Sequence, residues 1–241
     1  MLYLNPTVFV VDTDAAARAS LEHVIRQSGL SPKPFATAAE FLAHPPLLSA
    51  PSCLVLEVSV FDLDALGVLR CLAAQRPGLP TIVVAAETSV PMTVLAMKAG
   101  AMEFLLTPVA DEALVCAIQN GIARSRAVLV REAGLSELRS RYDSLSGRER
   151  EVMTHVVAGE LNKQVGAALG ISEITVKAHR GRVMRKMGAA SLPELVMMAM
   201  RLDLPMQPVA APTPAPATHP SRVIPGFADR RVPTRPMALA R

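Results

Sequence analysis

The chain has 241 residues, of which 51% are hydrophobic and 3% aromatic, so it can form two modest domains with aliphatic cores. Its three cysteines form no CxxC pair, and its N-terminus lacks the basic segment of a signal peptide. No apolar run approaches the ~18 residues of a membrane span. These features together predict a cytoplasmic protein with no membrane association. The net charge of +4 combines an acidic front, with six Lys or Arg against eleven Asp or Glu in residues 1–120, and a basic rear. This asymmetry is typical of an input domain followed by a polyanion-binding part, although a solvated surface would also show it.

Residues 1–120 alternate short β-rich runs with amphipathic helical patterns. The predicted strands are Thr7–Val11, Lys33–Phe35, Ser52–Glu57, Thr81–Ala85 and Glu103–Leu106. The predicted helices are Ala15–Gln27, Ala38–Ala43, Ala65–Arg76 and Pro91–Lys98, with a fifth after Asp111. The runs CLVLEV and TIVVAA are apolar almost throughout, as expected of strands that are covered on both faces. We therefore predict an α/β domain with a doubly wound parallel sheet, whose functional residues lie at the carboxyl ends of the strands.

A long helical pattern follows the predicted sheet. Its apolar residues at roughly helical spacing are Leu114, Ile118, Ile122, Val128, Leu135 and Leu138. We predict that the last helix of the first domain continues into a linker helix over residues 121–144, with a break at Gly134. An ordinary connecting helix and a dimerising coiled coil explain this pattern equally well.

Residues 145–204 have the pattern of a compact all-helical domain. Capping boxes are predicted at the first and fourth helices, from Ser146 with Glu149 and from Ser191 with Glu194. Asn162 is the predicted cap of the second helix, Gly170 its end, and Ser172 the cap of the third. The residues expected inside are Val152, Val156, Val165, Leu169, Ile171, Val176, Val183, Met187, Leu195 and Val196.

The last segment, residues 205–241, contains nine Pro and five Arg and shows no hydrophobic periodicity. Such a composition cannot offset the loss of chain entropy by burial, so we predict a disordered tail. Its arginines would add non-specific affinity for DNA, or the segment would act only as a spacer.

The second and third helices of residues 145–204, joined by a tight turn, predict a helix-turn-helix unit for double-stranded DNA. Basic residues are concentrated on the third helix, at Lys177, Arg180, Arg182, Arg185 and Lys186. Lys177, Ala178 and Gly181 are predicted to face outward, opposite a buried apolar stripe. Because Ala and Gly make few base contacts, direct readout is expected to be sparse, with Lys177 and Arg180 as the best candidates to touch base edges. A solvated basic helix face is the alternative.

The run SGREREVMTHVVAGELNKQVGAALGISEITVKAHRGRVMRKMGAASLPELV closely resembles the DNA-binding domain of LuxR/FixJ-type response regulators. The front half, through VFVVDTDAA, CLVLEV, VPMTVLAMKAGAMEFL and the following Thr-Pro, resembles the receiver domain of the same family, so that the resemblance covers roughly residues 6–202. It implies a homodimer in which Lys177, Ala178 and Gly181 lie towards the bases. It also implies that Thr175, His179, Arg182 and Lys186 lie towards the DNA backbone, and Lys163 completes the predicted contact set.

The predicted receiver domain departs from the family at its phosphorylation site. The family uses two adjacent acids to hold Mg²⁺, an Asp that accepts phosphate, a Thr or Ser, and a Lys before Pro. This chain has Asp12 followed by Thr13, then Glu57, Ala85 and Thr107 at the corresponding positions. Asp12 and Asp14 remain a weak candidate metal site, although two acids near a loop more often stay solvated or cap a helix. No cofactor is predicted.

These departures favour a phosphorylation-independent transcription regulator whose receiver fold serves for dimerisation or for binding a partner, such as RNA polymerase or another regulator. An interaction module that sequesters another regulator is the alternative. A Mg²⁺-dependent hydrolase using Asp12, Asp14 and Glu57 is disfavoured by the missing Lys, and no P-loop, HExxH or GxSxG motif indicates an enzyme. Glu57 is not expected to mimic phosphate, because Ala85 and Thr107 do not supply the hydroxyl and the charge that would sense it.

Overall fold

The structure, a computed structural model, describes residues 5–45, 50–60 and 63–205. The predicted disorder of the tail concerns residues that lie almost entirely outside these ranges. The strands run Thr7–Val11 (β1), Ser31–Phe35 (β2), Ser52–Val60 (β3), Thr81–Glu87 (β4) and Ala101–Leu106 (β5). The helices run Ala15–Gln27 (α1), Ala38–Ala43 (α2), Leu63–Gln75 (α3), Val90–Lys98 (α4), Asp111–Asp143 (α5), Gly147–Val157 (α6), Asn162–Leu169 (α7), Glu173–Met187 (α8) and Leu192–Arg201 (α9).

The first domain is a parallel sheet with the order β2-β1-β3-β4-β5, which confirms the predicted doubly wound architecture. From β1 the chain continues to β2 on one side of the sheet, and from β3 it continues to β4 and β5 on the other side. The topological switch point therefore lies between β1 and β3, where such folds bind their ligands. Val8, Val10 and Val55 pack on one face against α1 and α5, whereas Phe9 and Leu54 pack on the other. Both faces are covered, so the strands are apolar along most of their length.

The predicted strands are all present, but several are longer than the sequence indicated. β2 begins at Ser31 rather than Lys33, because it lies at the edge of the sheet, where Pro32 and Pro34 can face away from the single neighbouring strand. β3 extends past Glu57 to Val60 and pairs with β4 over that extension. Glu57 therefore lies within a strand and not at its end.

The helix α5 runs without interruption over 33 residues, so the predicted break at Gly134 is wrong. A single glycine lowers helix stability by only about 1 kcal/mol, and helical hydrogen bonds continue on both sides of it. By length and hydropathy alone α5 would suffice to cross a bilayer. Its residues Leu114, Ile118 and Ile122 are packed in the core of the first domain, however, and Leu138 in the core of the second. It is thus a shared core helix.

The second domain consists of α6 to α9 around one apolar core. All ten residues predicted to lie inside contribute to it, seven of them fully buried and three partly buried. The capping box of Ser146 and Glu149 is present at α6, and Ser172 caps α8. The prediction for Asn162 is wrong: α7 starts at Asn162 itself, and the backbone N–H of Leu161 donates to the side chain of Gln164 at 2.8 Å.

The turn between α7 and α8 depends on the absence of a side chain at Gly166. A Cβ at this position would lie 2.8 Å from the carbonyl oxygen of Ile171, closer than such atoms approach. Gly170 then ends α7 with a positive φ of 66°, a conformation that favours glycine. These two glycines set the close crossing of the two helices of the helix-turn-helix unit.

Candidate DNA-binding surface and receiver site

The helix α8 has one buried stripe and one exposed stripe. Val176, Val183 and Met187 are buried in the core of the second domain. The exposed residues on the opposite side are Ile174, Lys177, Ala178, Gly181, Arg182 and Arg185. The predicted outward orientation of Lys177, Ala178 and Gly181 is confirmed, and nothing lies within 4 Å of a Cβ built at Gly181. An exposed helix with small residues and flanking cations can enter the major groove closely.

Two residues on this exposed stripe were missed as candidates in the sequence. Ile174 lies one turn before Lys177 and Ala178, and Arg185 lies one turn after Gly181, so all of them share one side of α8. The signal was the 3.6-residue period: positions seven and eleven residues apart return to the same face of a helix. We name these residues, Ile174, Lys177, Ala178, Gly181 and Arg185, the outer stripe of α8.

Arg180 lies outside the outer stripe. It is half-buried, and its guanidinium donates to Oδ1 of Asn162 on α7 at 3.3 Å. In a helix-turn-helix unit the first helix crosses the DNA backbone, so a side chain tied to the start of α7 is better placed for phosphate than for a base edge. Asn162, wrongly predicted as a cap, thus orients Arg180. Base contact by Arg180 stays a prediction, but the geometry favours Lys177 for that role.

Lys186 is held by contacts within the protein. Its Nζ donates to the carbonyl oxygen of Ser144 at 3.0 Å and to Oε2 of Glu149 at 2.7 Å. The carboxylate of Glu149 is buried and also accepts from the backbone N–H of Ser146 at 2.9 Å. These donors lower its pKa to about 2. A phosphate contact by Lys186 stays a prediction, and it would have to compete with this ion pair.

The other predicted contacts lie on the flanks of the helix-turn-helix unit. Lys163 is exposed in the first turn of α7. Thr175 is partly buried, and its hydroxyl is 2.8 Å from that of Ser172. His179 is half-buried, and its Nδ1 lies buried with no hydrogen-bond partner among the described residues. His179 therefore directs one ring nitrogen into the protein and has only the other edge available for DNA.

The receiver site lies where β1 ends beside β3. Asp12 is fully buried, and its Oδ1 accepts from the backbone N–H of Asp14 at 2.8 Å. Its Oδ2 is buried without a donor in the described part of the chain. Burial, followed by the negative charge of Asp12, raises the pKa of the neighbouring Glu57 carboxyl to about 7. A proton on Glu57 turns this carboxyl into a donor to Asp12, so the pair is stable when it shares one proton.

At the remaining positions Ala85 supplies no hydroxyl, and Thr107 supplies a hydroxyl but no charge. Ala85 is fully buried in β4, and the backbone N–H of Thr107 donates to its carbonyl oxygen at 2.9 Å. Thr107 precedes Pro108 across a cis peptide bond. Asp12, Glu57 and Thr107 border a cavity of about 280 Å³ that is otherwise mainly apolar.

The residues at this site do not fit the Mg²⁺ centre of a receiver domain. Asp14 caps α1, where its carboxylate accepts from the backbone N–H groups of Ala16 and Ala17. Thr13 offers no carboxylate, and burial together with the charge of Asp12 raises the pKa of Glu57, which disfavours the ionised form that a metal ion needs. Among the described residues no group of three or more His, Cys, Asp or Glu side chains is arranged to hold a metal ion.

Each half of the chain matches a known protein family. The response regulator receiver domain matches residues 8–119, and the luxR family of bacterial regulatory proteins matches residues 143–199. The receiver match ends within α5 and the luxR match begins at its last residue, Asp143, in agreement with an α/β fold followed by an all-helical helix-turn-helix region.

The similarity to individual relatives extends over most of the chain. Nodulation protein W of Bradyrhizobium diazoefficiens is 40% identical over 197 residues, covering 82% of this chain and 86% of its own. Transcriptional regulatory protein FixJ of Azorhizobium caulinodans is 39% identical over 207 residues, covering 86% and 97%. The low-resolution structure of the response regulator StyR superposes with a TM-score of 0.72 at 36% identity, covering 82% of this chain and 100% of that one. The chain therefore belongs to the response regulators that join a receiver domain to a LuxR-type DNA-binding domain, a family of DNA-binding transcription factors.

Proposed function

We propose that this protein regulates transcription by binding DNA through the outer stripe of α8, and that it does so without phosphorylation of its receiver domain. Membership of the family supports the first part. The observation that carries the second part is that Glu57, at the acceptor position, borders one cavity with the buried Asp12, while Thr107 lines the same cavity in place of a Lys.

A receiver site accepts phosphate when an aspartate is free to attack and cations neutralise the added charge. Here the acceptor position is held by Glu57, which is partly protonated near neutral pH because of burial and of Asp12. A protonated carboxyl is a poor nucleophile, and Thr107 supplies no positive charge where the family has Lys. With no Lys at the position of Thr107, the negative charge of this carboxyl pair would also repel an incoming phosphodonor. We expect the conformation of the receiver domain to be set by packing instead.

The receiver domain would then serve for association. Val90, Val94 and Met97 on α4 and Leu106 at the end of β5 are exposed apolar residues of one domain. Exposed apolar side chains that cluster on one side of a domain commonly mark a protein contact. This surface supports a homodimer, and a dimer would present two copies of α8 to a DNA site with two halves. RNA polymerase or another regulator is the alternative occupant.

The experiment that tests the proposal is selection of DNA sites by the full-length protein, followed by affinity measurements on the selected site in the absence of any phosphodonor. A specific site should emerge, and Lys177→Ala should weaken binding to it. If the unmodified protein selects no sequence, while a complex with another regulator changes the binding of that regulator, the sequestering function replaces this proposal.

A further inference from the structure

Ile174 is an exposed aliphatic residue in the first turn of the DNA-binding helix. It is the second residue of α8, and 82% of it is accessible to solvent. Among the large apolar residues of the described chain it has the highest exposure. Val176, two residues further along the helix, is fully buried. This segment therefore has an apolar residue for the core already, and packing does not explain an isoleucine at position 174.

The position of Ile174 on α8 is opposite the core. It lies two residues before Val176, which corresponds to about 200° around the helix axis. It is three residues before Lys177 and seven before Gly181, so these three residues follow one another along the outer stripe. Any surface that contacts Lys177 and Gly181 therefore also covers Ile174.

The charge around Ile174 indicates what that surface is. Lys177, Arg182 and Arg185 lie exposed on the same helix, and none of the three has an ion-pair partner within the described residues. A single aliphatic side chain among unpaired cations suits the major groove, whose walls are phosphates and whose floor carries one apolar group, the C5 methyl of thymine. The N-terminal residues of a recognition helix are those that reach base edges.

We propose that Ile174 is a specificity-determining residue that packs against the C5 methyl group of a thymine in the target site. This inference rests on the proposed function, because it requires α8 to enter the major groove. Lys177 would contact a neighbouring base pair, and the small residues Ala178 and Gly181 would let the helix approach closely enough for an isoleucine to touch the base.

The test uses the full-length protein and a DNA site selected with the wild type. Each thymine in the site is replaced in turn by deoxyuridine, which removes only the C5 methyl group. The same series is measured with Ile174→Ala, which preserves helix propensity, and with Val130→Ala, a matched control at an exposed residue of α5.

One thymine in each half-site should be sensitive in the wild type and in Val130→Ala, with affinity falling about fourfold when the methyl is lost. Ile174→Ala should bind the intact site about fourfold or more weakly and should be insensitive to deoxyuridine at that position. Methyl sensitivity that persists in Ile174→Ala, or a wild type that is insensitive at every thymine, would overturn the inference while leaving the proposed function in place. A wild type that binds all sequences equally would refute the proposed function itself.

Discussion

The Nζ of Lys186 on α8 lies 2.7 Å from the Oε2 of Glu149, the residue that completes the capping box at the start of α6. One carboxylate thereby accepts from the backbone of α6 and from the side chain of the DNA-binding helix. At the same end of α8, the guanidinium of Arg141 on α5 donates to the carbonyl oxygen of Met187 at 3.0 Å. The orientation of α8 is thus fixed from two neighbouring helices.

Replacing Lys186 by Met should destabilise the second domain by about 1–3 kcal/mol, because the buried carboxylate of Glu149 loses a charged donor. Methionine retains the apolar part of the side chain, so packing changes little. Chemical denaturation of the full chain measures the effect, with Lys163→Met as the control on the exposed surface. Equal stability of the two variants would contradict the assigned role of the ion pair.

The same ion pair predicts a response to acid. The pKa of Glu149 is about 2 in the folded protein and 4.5 ordinarily, so the folded state binds this proton less readily than the unfolded chain. Its contribution to stability is complete above pH 4.5 and is lost as pH falls towards 2. Thermal midpoints of Glu149→Gln should therefore depend less on pH in this window than those of the wild type. Glu151→Gln, at an exposed ion pair, should keep the pH dependence of the wild type.

Two glycines of the helix-turn-helix unit should respond oppositely to substitution by alanine. Gly166→Ala places a Cβ 2.8 Å from the carbonyl oxygen of Ile171 and should cost about 1–3 kcal/mol of stability. Gly181→Ala meets open space and should raise stability by about 0.5–1 kcal/mol. Denaturation of both variants decides this. A destabilised Gly181→Ala would show that α8 has less free space than described.

The sequence predicted what depends on local patterns and missed what depends on distant neighbours. The strand cores, the capping residues Ser146 and Ser172 and the buried stripe of α8 follow from periodicity and cap chemistry. Asn162 has the side chain of a helix cap, but it is used to hold Arg180, which lies 18 residues away. The partner of Lys186 is 37 residues away, and no spacing rule reveals such a pair.

The receiver site shows the same division. The sequence alone identifies the unusual residues Glu57, Ala85 and Thr107. It also indicates that a nearby negative charge raises the pKa of Glu57. It does not indicate the complete burial of Asp12, because that depends on how β1 and β3 are covered. The burial of Glu57 itself is a larger cause of its raised pKa than the charge of Asp12.

Glu57→Gln should leave DNA affinity unchanged and should stabilise the protein at alkaline pH. The pKa of Glu57 is raised from 4.5 to about 7 on folding, so the folded state retains a proton that the unfolded chain releases, and stability falls as pH rises through this range. Gln has nearly the same shape as Glu and an N–H group that can donate to Asp12, and it does not titrate. The melting temperature of Glu57→Gln should exceed that of the wild type at pH 8 and not at pH 4. Glu87→Gln, at an exposed residue of β4, is the control, and a gain there of the same size would contradict the explanation.

Substitutions of the cations on α8 should separate base reading from backbone contact. Lys177→Ala should cost about 1–3 kcal/mol on the selected site and relax the preference at one base pair. Arg182→Ala should weaken binding to selected and random DNA alike and reduce the dependence on salt. Arg180→Ala should behave like Arg182→Ala if Asn162 holds Arg180 at the backbone. A loss confined to the selected site would restore Arg180 as a base reader.

The central claim is that specific DNA binding does not require phosphorylation of the receiver domain. It is tested most directly by the dissociation constant of the full-length protein for its selected site, measured before and after incubation with Mg²⁺ and a small acyl phosphate donor. We predict no incorporation of phosphate, in the wild type or in Glu57→Asp, and affinities that agree within about twofold. Stoichiometric phosphate together with binding that is roughly tenfold tighter would contradict the account.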